Sequence, residues 1–184
     1  LAPLAGRILP LAITIAAVGV AALAVYAGAA SRVCADISDY RQPGFADFWA
    51  ALKDGAPTSL LLALALVVYA GVVFVVDFPF FASVKSFAAW LAFALLFWVT
   101  VAVVLALQFF FPVRARLDRK FRKVLRKSFL LLLDNPGHSL GVFLGALVIG
   151  VISIFTALLL PGPATLLLWW HTAFKLRMYK YDYL

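Results

Sequence analysis

The chain has 184 residues, 66% of them hydrophobic and 13% charged, with a mean hydropathy of +1.06. A soluble domain runs near 45–50% apolar and about 25% charged, so this chain lacks the polar surface to cover itself in water, and lipid is its expected solvent. The formal charge is +8. Because the basic residues border apolar runs, that excess points to an anionic membrane surface and away from nucleic acid.

All eight acids are Asp, and Cys34 is the only cysteine, so no internal disulfide or thiolate metal cluster can form. The length suits roughly four to six spans of about 20 residues each, with no room for an extramembrane domain. The expected fold class is therefore all-α, a polytopic transmembrane helix bundle of about five spans with interfacial amphipathic helices.

The first span is predicted over residues 8–30; its apolar run is too long and uninterrupted for a signal peptide. Ala17, Ala21, Ala24 and Gly28 fall three or four apart on it, a small-residue face that lets another helix approach closely. Residues 31–57 form a polar connection carrying half of the acids. Within it Phe45, Phe48, Trp49 and Leu52 recur at helical spacing opposite Asp47, Lys53 and Asp54, which predicts a surface helix over about 44–53. The second span is predicted over 57–76, opened by Pro57 and closed by Asp77-Phe78-Pro79. After a turn through Lys85, the third runs over 87–111 and ends on three phenylalanines and Pro112.

Residues 113–133 are the most distinctive. Leu117, Phe121, Val124, Leu125 and Phe129 make an apolar stripe, and Arg114, Arg116, Arg119, Lys120, Arg122, Lys123, Arg126 and Lys127 fill the rest. The pattern predicts one basic amphipathic helix lying on an anionic leaflet, its basic residues meeting lipid headgroups at about 1 kcal/mol each. Asp118 sits four residues before Arg122, a favourable helical pairing. Asn135 and Pro136 are the predicted N-cap and first residue of the fourth span, 137–160. Gly137, Gly141 and Gly145 form a packing ladder on it. After Pro161-Gly162-Pro163, residues 164–178 are apolar but short for a span, about 22 Å of helix, and read as a tilted fifth helix or a re-entrant segment.

With five spans, the 32–56 connection, the 113–136 segment and the C-terminal tail share one side. They hold fourteen of the sixteen basic residues, with only Arg7 and Lys85 opposite. The positive-inside rule then places the N-terminus outside and the C-terminus inside.

Phe45-x-x-Phe48-Trp49-x-x-Leu52-Lys53 before a span ending in Asp77-x-x-Phe80-Phe81 resembles the YesL-like family of bacterial membrane proteins. Phe111-Pro112 followed by a basic helix, then Asn135-Pro136 opening a span, adds to the likeness, which covers about Phe45 to Leu160. The N-terminal part departs from that pattern, as does the tail from Tyr179 to Leu184. The resemblance implies about five helices in a bacterial cytoplasmic membrane, a setting beside carbohydrate-uptake systems and no catalytic residues to carry over.

The chemical inventory is thin: no Glu, two His and one Cys. No catalytic residue, metal ligand or cofactor site is expected, since such sites need several reactive groups converging. His138 reads as a structural residue at a helix start. Three polar residues are kept as possible functional groups: His171 beside Trp169 and Trp170, Asp77 at a helix end near Lys85, and Gln108, suited to bond another helix. The expected role is a non-enzymatic membrane component acting through helix or lipid contacts, with anionic headgroups, a second copy or another membrane protein as partners. The alternative is a transporter or channel subunit with a path between protomers, which needs polar groups at mid-membrane.

Overall fold

The computed structural model describes residues 2–84, 86–156 and 162–181, with residues 2–13 and Ala82 described by backbone alone. Among them the chain is all helical: α1 (Ala2–Ser38), α2 (Phe45–Gly71), α3 (Phe78–Ser83), α4 (Phe87–Leu107), α5 (Phe110–Arg116), α6 (Phe121–Asp134), α7 (Pro136–Phe155) and α8 (Pro163–Tyr179). Four stretches are long and apolar enough to cross a membrane: Thr14–Ser38, Phe45–Phe81, Phe87–Arg116 and Pro136–Phe155. The chain is a multi-pass membrane protein by that measure.

Its surface says the same. Leu95, Trp98, Val75, Ile154 and Phe155 are all more than half exposed, and α4 is apolar around its whole circumference. Such a surface is a liability in water and ordinary in lipid.

The first helix does not stop at Ala30. No Gly or Pro interrupts Ser31–Ser38, and Arg32 lies 3.7 Å from Asp36 one turn on, so the helix continues. It ends where Tyr40 adopts φ 59°, a left-handed conformation usually given to Gly. The Tyr40 N–H then bonds the Ile37 carbonyl and the Arg41 N–H bonds that of Asp36, both at 2.9 Å, a Schellman end.

The separate surface helix expected over 44–53 and the span expected from Pro57 are one continuous helix, α2, with Pro57 inside it. Pro57 costs one backbone hydrogen bond, but the helix is held on both sides of it: Ala51, Gly55, Thr58, Ser59 and Leu62 are buried, packed on α1 and on the α5 core. Tight capping starts it, the Asp47 carboxylate accepting the Gly44 N–H at 2.7 Å. Between α2 and α3 the turn widens to a π-helix over Val72–Asp77. Pro79 lies just beyond, and the wider turn accommodates the ring and the carbonyl it leaves without a donor.

The basic helix expected over 113–133 is two pieces. Residues to Arg116 continue the third span as α5, with Pro112 in its first turn where no N–H is needed. The chain turns through 117–120 before α6. Asp118 faces Lys123 and Lys127, at 4.0 and 3.6 Å, in place of the predicted Arg122. Phe121, Val124, Leu125, Ser128 and Leu132 turn inward, and the apolar stripe packs on the protein's own core of Leu62, Phe109, Phe110, Val113, Phe174 and Met178. Amphipathic periodicity is the same for a helix on lipid and a helix on protein.

Asn135 caps α7 as its sequence predicts, accepting the His138 N–H at 3.0 Å. The glycine ladder is only partly used. A side chain at Gly145 would meet the Trp169 ring at 2.5 Å, whereas nothing lies within 4 Å of one at Gly141, and only Asn135 approaches Gly137. On α1 the small face closes gradually: Ala17 is exposed, Ala21 and Ala24 half-buried and Gly28 buried. We therefore expect Gly145→Leu to cost about 2 kcal/mol through overpacking, and Gly141→Leu to stay within about 0.5 kcal/mol. Unfolding in mixed micelles measures both, and equal costs would refute this account of the packing.

Helix α8 runs antiparallel to α7. Arg177 pairs with Asp134, and the Trp169 indole N–H donates to the Val142 carbonyl at 2.9 Å. Extended at the same register, the start of α8 at Pro163 lies level with about Val148, well short of Phe155. It also crosses α1 at an angle, since Ala164 approaches Cys34 while Lys175, eleven residues on, reaches Ser38, only four residues further along α1. The predicted fifth segment is thus a helix of 17 residues that lies against the basic half of the bundle.

Candidate functional site

The three basic segments of the sequence meet at one end of the bundle. There the C-terminus of α1, the N-terminus of α2, α5, the end of α6 and the end of α8 are tied by ion pairs between residues distant in sequence. Asp39 is the hub. Its carboxylate accepts two bonds from one Arg116 nitrogen at 2.8 and 3.0 Å, and Lys175 Nζ lies 3.0 Å away. Arg116 also donates to Ser38 Oγ at 2.6 Å and to the Ala35 carbonyl at 3.3 Å.

A second knot joins α5 to α2: Arg114 donates to the Asp54 carbonyl at 2.8 Å and to its carboxylate at 3.3 Å. A third closes the C-terminus, where Asp134 accepts from both Arg177 and Tyr181.

The eight predicted headgroup residues are therefore not equivalent. Arg114 and Arg116 are buried, each side chain under a tenth exposed, and they bind protein carboxylates. This corrects the single surface helix: α5 belongs to the bundle, and its arginines face inward because Asp39 and Asp54 wait there. Arg119, Lys120, Arg122, Lys123 and Arg126 are exposed and Lys127 half-exposed, so α6 keeps an outward basic face.

His171 is fully buried and 2.7 Å from Ser31 Oγ on α1. This is a contact inside the bundle, in place of the headgroup exposure that its tryptophan neighbours suggest. Gln108, also buried, donates to the Ser139 carbonyl on α7 at 2.8 Å. Asp77 is half-buried in the π-helical turn, far along the chain from both; its suggested partner Lys85 lies outside the described residues. Thr100 donates to the Leu96 carbonyl and shares a bond with Tyr69, and the cavity beside it is walled by Phe97, Val101, Val104, Leu105, Leu140 and Phe143. His171, Gln108 and Thr100 are thus each used locally, and the polar groups are not brought together.

Sequence reasoning missed Arg32, Asp36, Asp39, Asp54 and Ser31. The one available signal was that half of the acids sit in a single connection, opposite in charge to the 113–127 stretch. Which acid meets which base is a long-range fact that one sequence does not display.

The electrostatics have a pH signature. Burial works against the charge of Asp39, but the bonds from Lys175 and Arg116 prevail and hold its carboxyl below the ordinary range. Tyr181 and then Arg177 lower that of Asp134. Groups with a lowered folded pKa contribute stability above the unfolded value of about 3.9, and that stability is lost as pH falls through the folded value. The melting temperature in detergent should be flat from neutral pH to about 5 and fall steeply below about 4. A rise on acidification would contradict these pairs.

Compared with known protein families, curated proteins and solved structures, the chain gives no match.

Proposed function

We propose that this multi-pass membrane protein is non-enzymatic and acts by binding anionic lipid and other membrane helices at its basic end. The observation that carries the reading is the outward face of α6. Arg122, Lys123 and Arg126 are exposed while Val124, Ser128 and Leu132 anchor the helix on the core, so a rigid cationic surface stands beside the ends of the spans. Each such residue adds about 1 kcal/mol near an anionic leaflet. By the positive-inside rule we place this end and the C-terminus in the cytoplasm of a bacterial cell, with the N-terminus outside. The likeness to YesL-like proteins supports an accessory role beside carbohydrate uptake, with a second copy or another membrane protein as the helix partner.

The direct test reconstitutes the protein in nanodiscs of phosphatidylcholine, with and without phosphatidylglycerol. Anionic lipid should raise the melting temperature, and Arg122→Gln/Lys123→Gln/Arg126→Gln should remove much of that rise. No dependence on lipid charge would defeat the reading. So would a flux of ions or small sugars in liposomes, which is what a transporter or channel subunit would give.

A further inference from the structure

Beside the α5 knot lies an open cleft of roughly 530 Å³, walled by the α1–α2 connection, the first turns of α2 and the end of α5. That volume falls within the 300–1,000 Å³ typical of small-ligand sites. Four arginines line it, Arg32, Arg41, Arg114 and Arg119, and their arrangement is uneven.

Asp36 serves both Arg32 and Arg41, at 3.7 and 3.5 Å, and Asp54 serves both Arg114 and Arg119, at 3.3 and 3.4 Å. Each carboxylate thus carries one negative charge against two guanidinium groups. Asp47, the remaining acid in the wall, is already engaged with the Gly44 N–H. The cleft keeps a net positive charge with every one of its acids occupied.

The arginines are also differently mobile. Arg114 is 8% exposed, fixed by two bonds to Asp54, and its buried Nε has no partner. The Arg119 side chain is 79% exposed and can swing toward an incoming anion, while Arg32, 43% exposed, is held by the Ala115 carbonyl at 2.5 Å and by Asp36. Two held guanidinium groups beside a movable one are suited to bidentate recognition of a tetrahedral oxyanion.

We propose that this cleft binds a phosphate group, with Arg114 and Arg32 as held donors and Arg119 closing on it. This rests on the reading above that the basic end meets anionic lipid, and narrows it to one site. The phosphate belongs to a lipid headgroup or to a soluble phosphate, and the test separates the two.

The protein is studied in phosphatidylcholine nanodiscs with two probes: inorganic phosphate, followed by titration calorimetry, and phosphatidylglycerol, followed by native mass spectrometry of retained lipid. Arg32→Gln/Arg119→Gln should weaken the bound probe about tenfold or more, the loss expected for charge-assisted bonds. Ala50→Glu adds a carboxylate to the exposed wall without disturbing any ion pair, and should weaken it similarly. It keeps the test valid if the double variant misfolds.

Retained phosphatidylglycerol that Ala50→Glu releases assigns the site to a headgroup. Phosphate binding that Ala50→Glu abolishes assigns it to a soluble anion. If neither probe binds, or both bind the variants as they bind the wild type, the cleft is not a phosphate site. Should the α6 variants still lose their lipid dependence in that case, the broader reading survives and only this site falls.

Discussion

Asp39→Ala is expected to lower stability in mixed micelles by about 3 kcal/mol, the scale for removing one partner of a buried ion pair. The reason lies in what remains. Arg116, its side chain 8% exposed, and Lys175, 16% exposed, would face each other with no carboxylate between them. Arg116 would keep only Ser38 Oγ and the Ala35 carbonyl, neither of which neutralises it. Lys175→Met, by contrast, leaves Asp39 paired with Arg116 and should cost about 1 kcal/mol. Arg41→Ala is the control: that side chain is 70% exposed on the same connection and should change little, within about 0.5 kcal/mol. If Asp39→Ala and Arg41→Ala cost the same, the hub does not hold α1, α5 and α8 together.

The second large effect is at Gly28. Here α1 and α2 pack tightly: a methyl group on Gly28 would collide with the hydroxyl of fully buried Ser59 and stand 3.4 Å from its Cβ and 3.7 Å from the Phe111 ring. A serine hydroxyl can rotate away, and Ala gains about 1 kcal/mol of helix propensity over Gly. Gly28→Ala should therefore be close to neutral. Gly28→Leu has no such escape, because its branches extend toward Ser59 Cβ and the ring, and it should cost about 3 kcal/mol, the upper end for overpacking. The contrast between the two variants is the measurement. A neutral Gly28→Leu would mean that the helices do not cross there.

These sites show what one sequence displays and what it hides. Periodicity and hydropathy locate the apolar helices because each signal lies within a single helix. Asn135-Pro136 marks the start of α7 because capping is local. Gly28 and Gly145 are legible as small positions, but so are Ala17 and Gly141, which touch lipid or open space; the difference lies in the neighbour, Ser59 or Trp169, that another part of the chain supplies. Pro57 misleads because proline usually begins or ends a helix, and here packing on α1 overrides it. The arginines of α5 mislead for the opposite reason: Arg114 and Arg116 sit in a run of exposed basic residues, and only Asp54 and Asp39, 60 and 77 positions away, draw them inside.

The short reach of α8 has a consequence for the bilayer around it. At the basic end α8 stands beside the long helices and α6 covers their flank, while at the level of Ile154 and Phe155 α8 is absent and those side chains are 74% and 86% exposed. Among the described residues, more helices therefore stand side by side at the basic end than at the other. Unequal lateral area in the two leaflets predicts an energy that depends on membrane curvature and on the headgroup-to-tail proportions of the neighbouring lipid. Preferential partitioning between highly curved and flat vesicles is the expected result.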